Sequence, residues 1–284
     1  MSFFGIGQKN QSQADVRVTP GGVPIDAVAR LERMRGDGGT PLFTSDLSIS
    51  ELVLLEQLGW RPLGLVLGSS IYHVGIQYGS FFQNQELPYL SAAMHEAREL
   101  AMSRMAEEAD VLGADGIIGV QLEAGSYAWA ENALEFTAVG TAVRAPDGAT
   151  WGKREGKPFV ADLSVQDVYK LVTATRYAPR ELVFGNCVYH VAHQGFAQAV
   201  KTVGTNIELP NYTEAIYEAR ELAIGRMQAE AAAHGAAGVV GMRVIEKTHN
   251  WNAHVIEFMA IGTSVEPRGE AKPVSLTVQI GLND

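Results

Sequence analysis

One cysteine, Cys187, is all the thiol chemistry in 284 residues, which excludes an internal disulfide and any multi-thiolate zinc or iron–sulfur site within one chain. Positive charge is also scarce. Lysine and arginine number 22 against 32 aspartates and glutamates, a formal net charge of −10. That field repels phosphate backbones and anionic lipid surfaces, so neither nucleic acid nor membrane is an expected partner. No apolar run approaches the ~18 to 20 residues that span a bilayer, and Met1-Ser2-Phe3-Phe4-Gly5 lacks a basic segment ahead of a long apolar core. The expectation is a soluble, cytoplasmic protein. Motifs of catalysis are missing too: there is no nucleophile motif, no Gly-rich phosphate loop with lysine and no metal-protease helix. The stretch from Gly64 to Gly68 lacks the helix start that phosphate binding needs.

What the chain has is hydrophobic residues, 46% of it, enough for two cores of common size. It also has an internal repeat. Glu96-Ala97-Arg98-Glu99-Leu100-Ala101 recurs 122 residues later as Glu218-Ala219-Arg220-Glu221-Leu222-Ala223. The same shift relates Glu86-Leu87-Pro88 to Glu208-Leu209-Pro210, Gly113-Ala114 to Gly235-Ala236, Trp129 to Trp251, Glu135-Phe136 to Glu257-Phe258 and Gly140-Thr141 to Gly262-Thr263. Upstream the shift is smaller, pairing Tyr72-His73-Val74 with Tyr189-His190-Val191 and Asp46-Leu47-Ser48 with Asp162-Leu163-Ser164.

Each copy reads as helix, strand, long helix, strand, strand. Ser48 with Glu51, and Ser164 with Asp167, fit N-caps, because a hydroxyl accepts from an early helix amide and a carboxylate suits the positive helix end. The β-branched runs Leu63 to Val74 and Leu182 to Val191 predict a first strand. Leu90, Ala93, Ala97, Leu100, Ala101, Met105, Ala109 and Leu112 form a helical stripe, with Arg98, Glu99, Glu107 and Asp110 outside it. Gly113 and Gly235 stand where a left-handed residue ends a helix. Strands follow near Gly116 to Glu123 and Leu134 to Val143, repeated near Gly238 to Glu246 and Val255 to Val265, with hairpin loops at 127–132 and 248–253. The fold class expected is therefore α+β, in two tandem modules, each an antiparallel sheet covered by one long helix. A three-stranded sheet with one helix leaves its other face open, and self-association is the physical remedy.

The expected boundaries are an N-terminal arm at 1–44 with a short helix from Ile25 to Arg35, a first module at 45–144, a Gly- and Pro-bearing linker at 145–161, a second module at 162–265 and a tail at 266–284. In the tail Val274 to Ile280 alternates as one strand able to dock on a neighbouring subunit.

Gly64-Leu65-Val66-Leu67-Gly68-Ser69-Ser70-Ile71-Tyr72-His73-Val74-Gly75, Glu96 to Ala101, Leu112-Gly113-Ala114-Asp115-Gly116-Ile117-Ile118-Gly119-Val120 and Phe136-Thr137-Ala138-Val139-Gly140-Thr141-Ala142-Val143 resemble the YbjQ family, often labelled heavy-metal-binding. The resemblance covers about residues 46–144 and 162–265. It implies a dodecin-like β-α-β-β module that assembles into rings, pentameric in single-module relatives. A pentamer whose two modules form two stacked rings is one expectation for this chain.

Cys187-Val188-Tyr189-His190-Val191-Ala192-His193 is the best local candidate for a transition metal ion, a soft sulfur near two imidazoles. On an extended strand, however, Cys187 and His193 share a face roughly 20 Å apart while His190 points the other way. Only His73 and His190 are common to both copies, so a ring gathering them from several subunits is the remaining metal reading. His249 and His254 have no histidine counterparts. Other candidates are duplicated. Tyr72 and Tyr189, with Trp129 and Trp251, are ligand or partner grips. Arg98, Arg220, Glu135 and Glu257 are candidates for subunit contacts. The readings that follow are a non-enzymatic ring-forming scaffold or binding protein, a metal or small-ligand carrier with inter-subunit pockets, and third an enzyme whose site lies between subunits.

Overall fold

The structure is a computed structural model that describes residues 23–36, 39–73, 83–126, 133–147, 153, 156–192, 208–248 and 255–269. The first half runs α1 (Ile25–Arg35), α2 (Ile49–Gln57), β1 (Arg61–His73), β2 (Gln85–Glu86), α3 (Pro88–Leu112), β3 (Gly116–Ser126) and β4 (Ala133–Arg144). The second runs β5 (Phe159–Val160), α4 (Val165–Ala174), β6 (Tyr177–His190), α5 (Pro210–Ala233), β7 (Gly238–Thr248) and β8 (Val255–Pro267). Two sheets result, ordered β1-β4-β3-β5 and β2-β6-β8-β7. Two short strands cross over: β2, from the first half, pairs antiparallel with β6, and β5, which precedes the second half's helices, pairs parallel with β3.

The helix ends form as their residues dictate. Ser48 accepts from the Glu51 amide while the Glu51 carboxylate accepts from the Ser48 amide, a reciprocal cap. Ser164 accepts from the Asp167 amide in the same way. Gly113, at φ +70°, ends α3 in the left-handed region. Both long helices begin two residues earlier than the apolar stripe suggests, at Pro88 and Pro210, where a missing N–H costs nothing. Likewise β1 and β6 begin at Arg61 and Tyr177, ahead of the apolar runs, because β4 and β8 extend far enough to pair with them.

Each long helix lies almost in contact with the backbone of the strand beneath it. A Cβ on Gly68 would sit 2.1 Å from the Ala101 carbonyl oxygen, and one on Gly185 would sit 2.3 Å from that of Ala223. The alanines of the helices and these two glycines are thus one adaptation, since close approach requires small residues on both sides.

The two sheets are not equally covered. Residues Leu182, Phe184, Val188, Met259 and Ile261 on the second sheet's outer face belong to the same buried cluster as Leu87, Leu90 and Met94 of α3. Helix α3 is therefore shared, lying on its own sheet with one face and on the second sheet with another. The expectation of an open outer face is corrected for the second sheet, because the first half's helix covers it. The short helix expected from Ile25 to Arg35 is present as α1 and packs on the first half. It buries Leu31 and Met34 against α3 and β1, and Arg30 donates to the Leu65 carbonyl at 2.8 Å and to Glu108 at 2.5 Å. No helix among the described residues is long and apolar enough to cross a membrane.

Candidate functional site

The chemistry-bearing residues gather at the seam between the halves. Its centre is an ion pair from Arg98 of α3 to Glu257 of β8, at 2.5 Å, with both side chains buried. The Arg98 guanidinium also lies 4.8 Å from the ring centroid of Phe136, a cation–π placement. A lone buried charge at either position costs several kcal/mol, so each residue makes the other tolerable.

Around this pair the N-terminal end of α3 is stitched to the edge of β6. The Leu87 amide donates to the Val188 carbonyl at 2.8 Å, and the Val188 amide donates to Ser91 Oγ at 2.9 Å. Asn186 Nδ2 donates to the Ser91 carbonyl, also at 2.9 Å. Arg226 of α5 holds Glu86 through two bonds of 2.7 and 2.9 Å, and its Nη1 also reaches the Asn186 carbonyl. Burial works to raise the Glu86 carboxyl, but these bonds outweigh it and the group titrates below its ordinary range. A cleft of about 450 Å³ opens beside the stitch, lined among others by His95, Glu96, Phe184, Asn186, Arg226 and Glu230. Glu230 accepts from the Phe184 amide, yet burial, with help from Glu99 and Glu181, pushes its carboxyl up to about 7.

A second stretch of seam lies at the other end. The Gly119 amide donates to the Leu163 carbonyl at 3.0 Å and the Val120 amide to that of Ala161 at 2.9 Å, beside a bulge where Gly119 adopts φ +66°. Trp60 meets Phe159 edge to face at 5.6 Å, and Leu55 packs in one cluster with Val165, Val168 and Leu171 of α4.

The metal candidates are not brought together. Cys187 faces α5, clustered with Ala215, Ala219 and Ala223, and burial pushes its thiol up to about 12, which withholds the thiolate a soft metal needs. His190, three residues on, lies on the opposite face, with Nδ1 at 3.3 Å from the Gln83 carbonyl oxygen. His73 is exposed at the end of β1. His193, Trp129 and Trp251 lie outside the described residues, as do 127–132, 249–253 and the tail residues 274–280 that were expected to form a strand. Tyr72 and Tyr189 make the same contact in each half, donating to Glu96 at 3.0 Å and to Glu218 at 2.5 Å; burial and the Glu218 carboxylate raise the Tyr189 hydroxyl. Those tyrosines tie each strand to its own helix. Ser91 and Glu86 were not singled out as site residues in the sequence. The signal that could have found Glu86 is its place in the duplicated Glu-Leu-Pro.

The family described as "Putative heavy-metal-binding" matches residues 80–146 and 169–268. An encapsulin nanocompartment protein of Mycobacterium tuberculosis is 46% identical over 235 residues, 82% of this chain and 89% of its own. A UPF0145 protein of Clostridioides difficile is 40% identical over 88 residues, 29% of this chain and 77% of its own length. One from Pseudothermotoga lettingae is 37% identical over 89 residues, 30% and 82% respectively. These single-unit relatives are short enough to correspond to one half of the chain. The description's metal does not fit the described residues, which include no group of three histidine, cysteine, aspartate or glutamate side chains placed to hold one.

Proposed function

We propose that this chain, which belongs to the YbjQ family through both of its tandem copies, is a self-associating scaffold protein whose work is assembly rather than catalysis. The observation that carries the reading is a contrast between two equivalent faces. On the second sheet, Phe184 and Val188 are 1% and 0% exposed beneath α3, whereas their counterparts on the first sheet, Leu67 and Ile71, are 39% and 59% exposed. Identical strand positions cannot be built for water in one copy and for a helix in the other without cost. Full burial of each such side chain is worth about 1.5 to 3 kcal/mol. The likeness to a protein named for an encapsulin nanocompartment supports the same reading, and extends it to a structural role in or around such a compartment. A closed ring of chains is the proposed form.

Native mass spectrometry of untagged protein tests this, since one spectrum reports stoichiometry, bound metal and retained ligand together. Assemblies of several chains are expected, with masses that leave no room for a stoichiometric metal ion. A stable folded monomer at micromolar concentration would refute the scaffold reading. One tightly held metal per unit would favour the carrier instead.

A further inference from the structure

We infer that the seam inside the chain is repeated between chains, so that the second half of one copy docks on the first half of the next as the first half docks on the second within a copy. This rests on the self-association proposed above and specifies its surfaces. The shift that relates the halves is 117 residues along β1 and β6 and 122 from β2 onward. Applied to the ion pairs, the hydroxyl cap and the apolar pieces of the seam, it asks whether the partner residue still has the chemistry to make that contact.

It does. Arg98 over Phe136 becomes Arg220, whose guanidinium lies 5.6 Å from the Phe258 ring, the same placement on the same helix position. Its anionic partner Glu257 becomes Glu135, half-buried on the outer face of the first sheet. Glu86 becomes Glu208, exposed ahead of α5, and Arg226 becomes Arg104, which donates to the Ser69 carbonyl as Arg226 does to that of Asn186. Ser91, the hydroxyl that caps the edge amide of β6, becomes Thr213, which keeps the hydroxyl. The apolar pieces also correspond. Leu87, Leu90 and Met94, buried in the seam, become Leu209, Tyr212 and Ile216, all only partly buried.

The second stretch of seam repeats too. Phe159 and Val160, which form β5 along β3, correspond to Phe43 and Thr44 ahead of α2. Phe159 is 3% exposed and Phe43 is 45% exposed. Strand β7, the counterpart of β3, carries the same bulge, with Gly241 at φ +65°, and Met242 and Val244 are exposed beside it. The segment around Phe43 of a second copy is therefore the occupant of this edge.

Each copy thus bears two different, complementary surfaces: the outer face of the first sheet with residues 43–47, and the outer face of α5 with β7. Such an interface is heterologous, and it closes into a ring or continues as a filament according to the rotation between successive halves. Both halves then lie side by side in one course, not one above the other in stacked rings.

Charge reversal tests the docking. Arg220→Glu and Glu135→Arg each place like charges at the repeated pair and are expected to give folded monomers, while the double variant restores the wild-type mass. Circular dichroism reports folding. Because Arg220 also contacts its own sheet, Ile71→Asp serves as a second variant at a site already in water in the lone chain; it is expected to be a folded monomer as well. Variants that assemble like an assembled wild type would overturn the docking alone. A wild type that is itself monomeric would overturn the scaffold reading with it.

Discussion

Arg98→Ala should lower the unfolding free energy by about 3 to 5 kcal/mol, the range for removing one member of a buried ion pair. The loss has little to do with the attraction between the two charges. It arises because Glu257, 1% exposed on β8, would remain buried in the seam without the guanidinium that it pairs with. Replacing both partners by apolar residues of similar volume removes that buried charge, and Arg98→Met with Glu257→Leu should recover most of the loss or exceed wild type. Urea melts at one fixed protein concentration give the comparison, since self-association makes apparent stability depend on concentration. A single variant costing less than about 1 kcal/mol would mean that solvent reaches the pair in solution, and the halves would then not be packed as described.

The second large effect is expected from Gly185→Ala. The added methyl would stand 2.3 Å from the Ala223 carbonyl oxygen and 2.4 Å from the Met227 amide nitrogen. Both are backbone atoms that no rotamer change can move, so α5 must lift from β6 along its length. Overpacking a core usually costs about 1 to 3 kcal/mol, and this site belongs at or above the upper end. Gly68→Ala repeats the clash in the first half, at 2.1 Å from the Ala101 carbonyl oxygen. Gly125→Ala is the control. A Cβ there meets nothing within 4 Å, and its effect should stay within about 0.5 kcal/mol, as for ordinary surface changes. Thermal melts of the three variants would show two large drops and one near-null; equal shifts would contradict helices seated on glycine.

Much of this architecture was legible because it is written twice. A cap such as Ser48 with Glu51, or a terminator such as Gly113, is weak alone, but a counterpart at fixed distance survives only where the element exists. What stayed hidden was the exchange between the halves. Strands β2 and β5 are two residues each, too short for any periodicity to mark. The second buried face of α3 was hidden for a different reason: Arg98 falls outside the apolar stripe, and only a partner surface bearing Val188 and Glu257 makes it and Ser91 interior. Arg98 and Glu257 were read from their duplication as contacts between subunits; the pair that the structure shows is made within one chain, across the seam. The cysteine and histidine run illustrates the converse. Close in sequence, Cys187 and His190 are divided by the alternation of the strand that carries them.

Cryo-electron microscopy of the assembled protein tests the central claim most directly. The operation that carries residues 61–144 onto residues 177–266 within a copy should carry that second region onto the first region of the next copy, with the chain around Phe43 running along β7 and Arg220 meeting Glu135. Density in which like halves meet like, in one layer or in two, would contradict it.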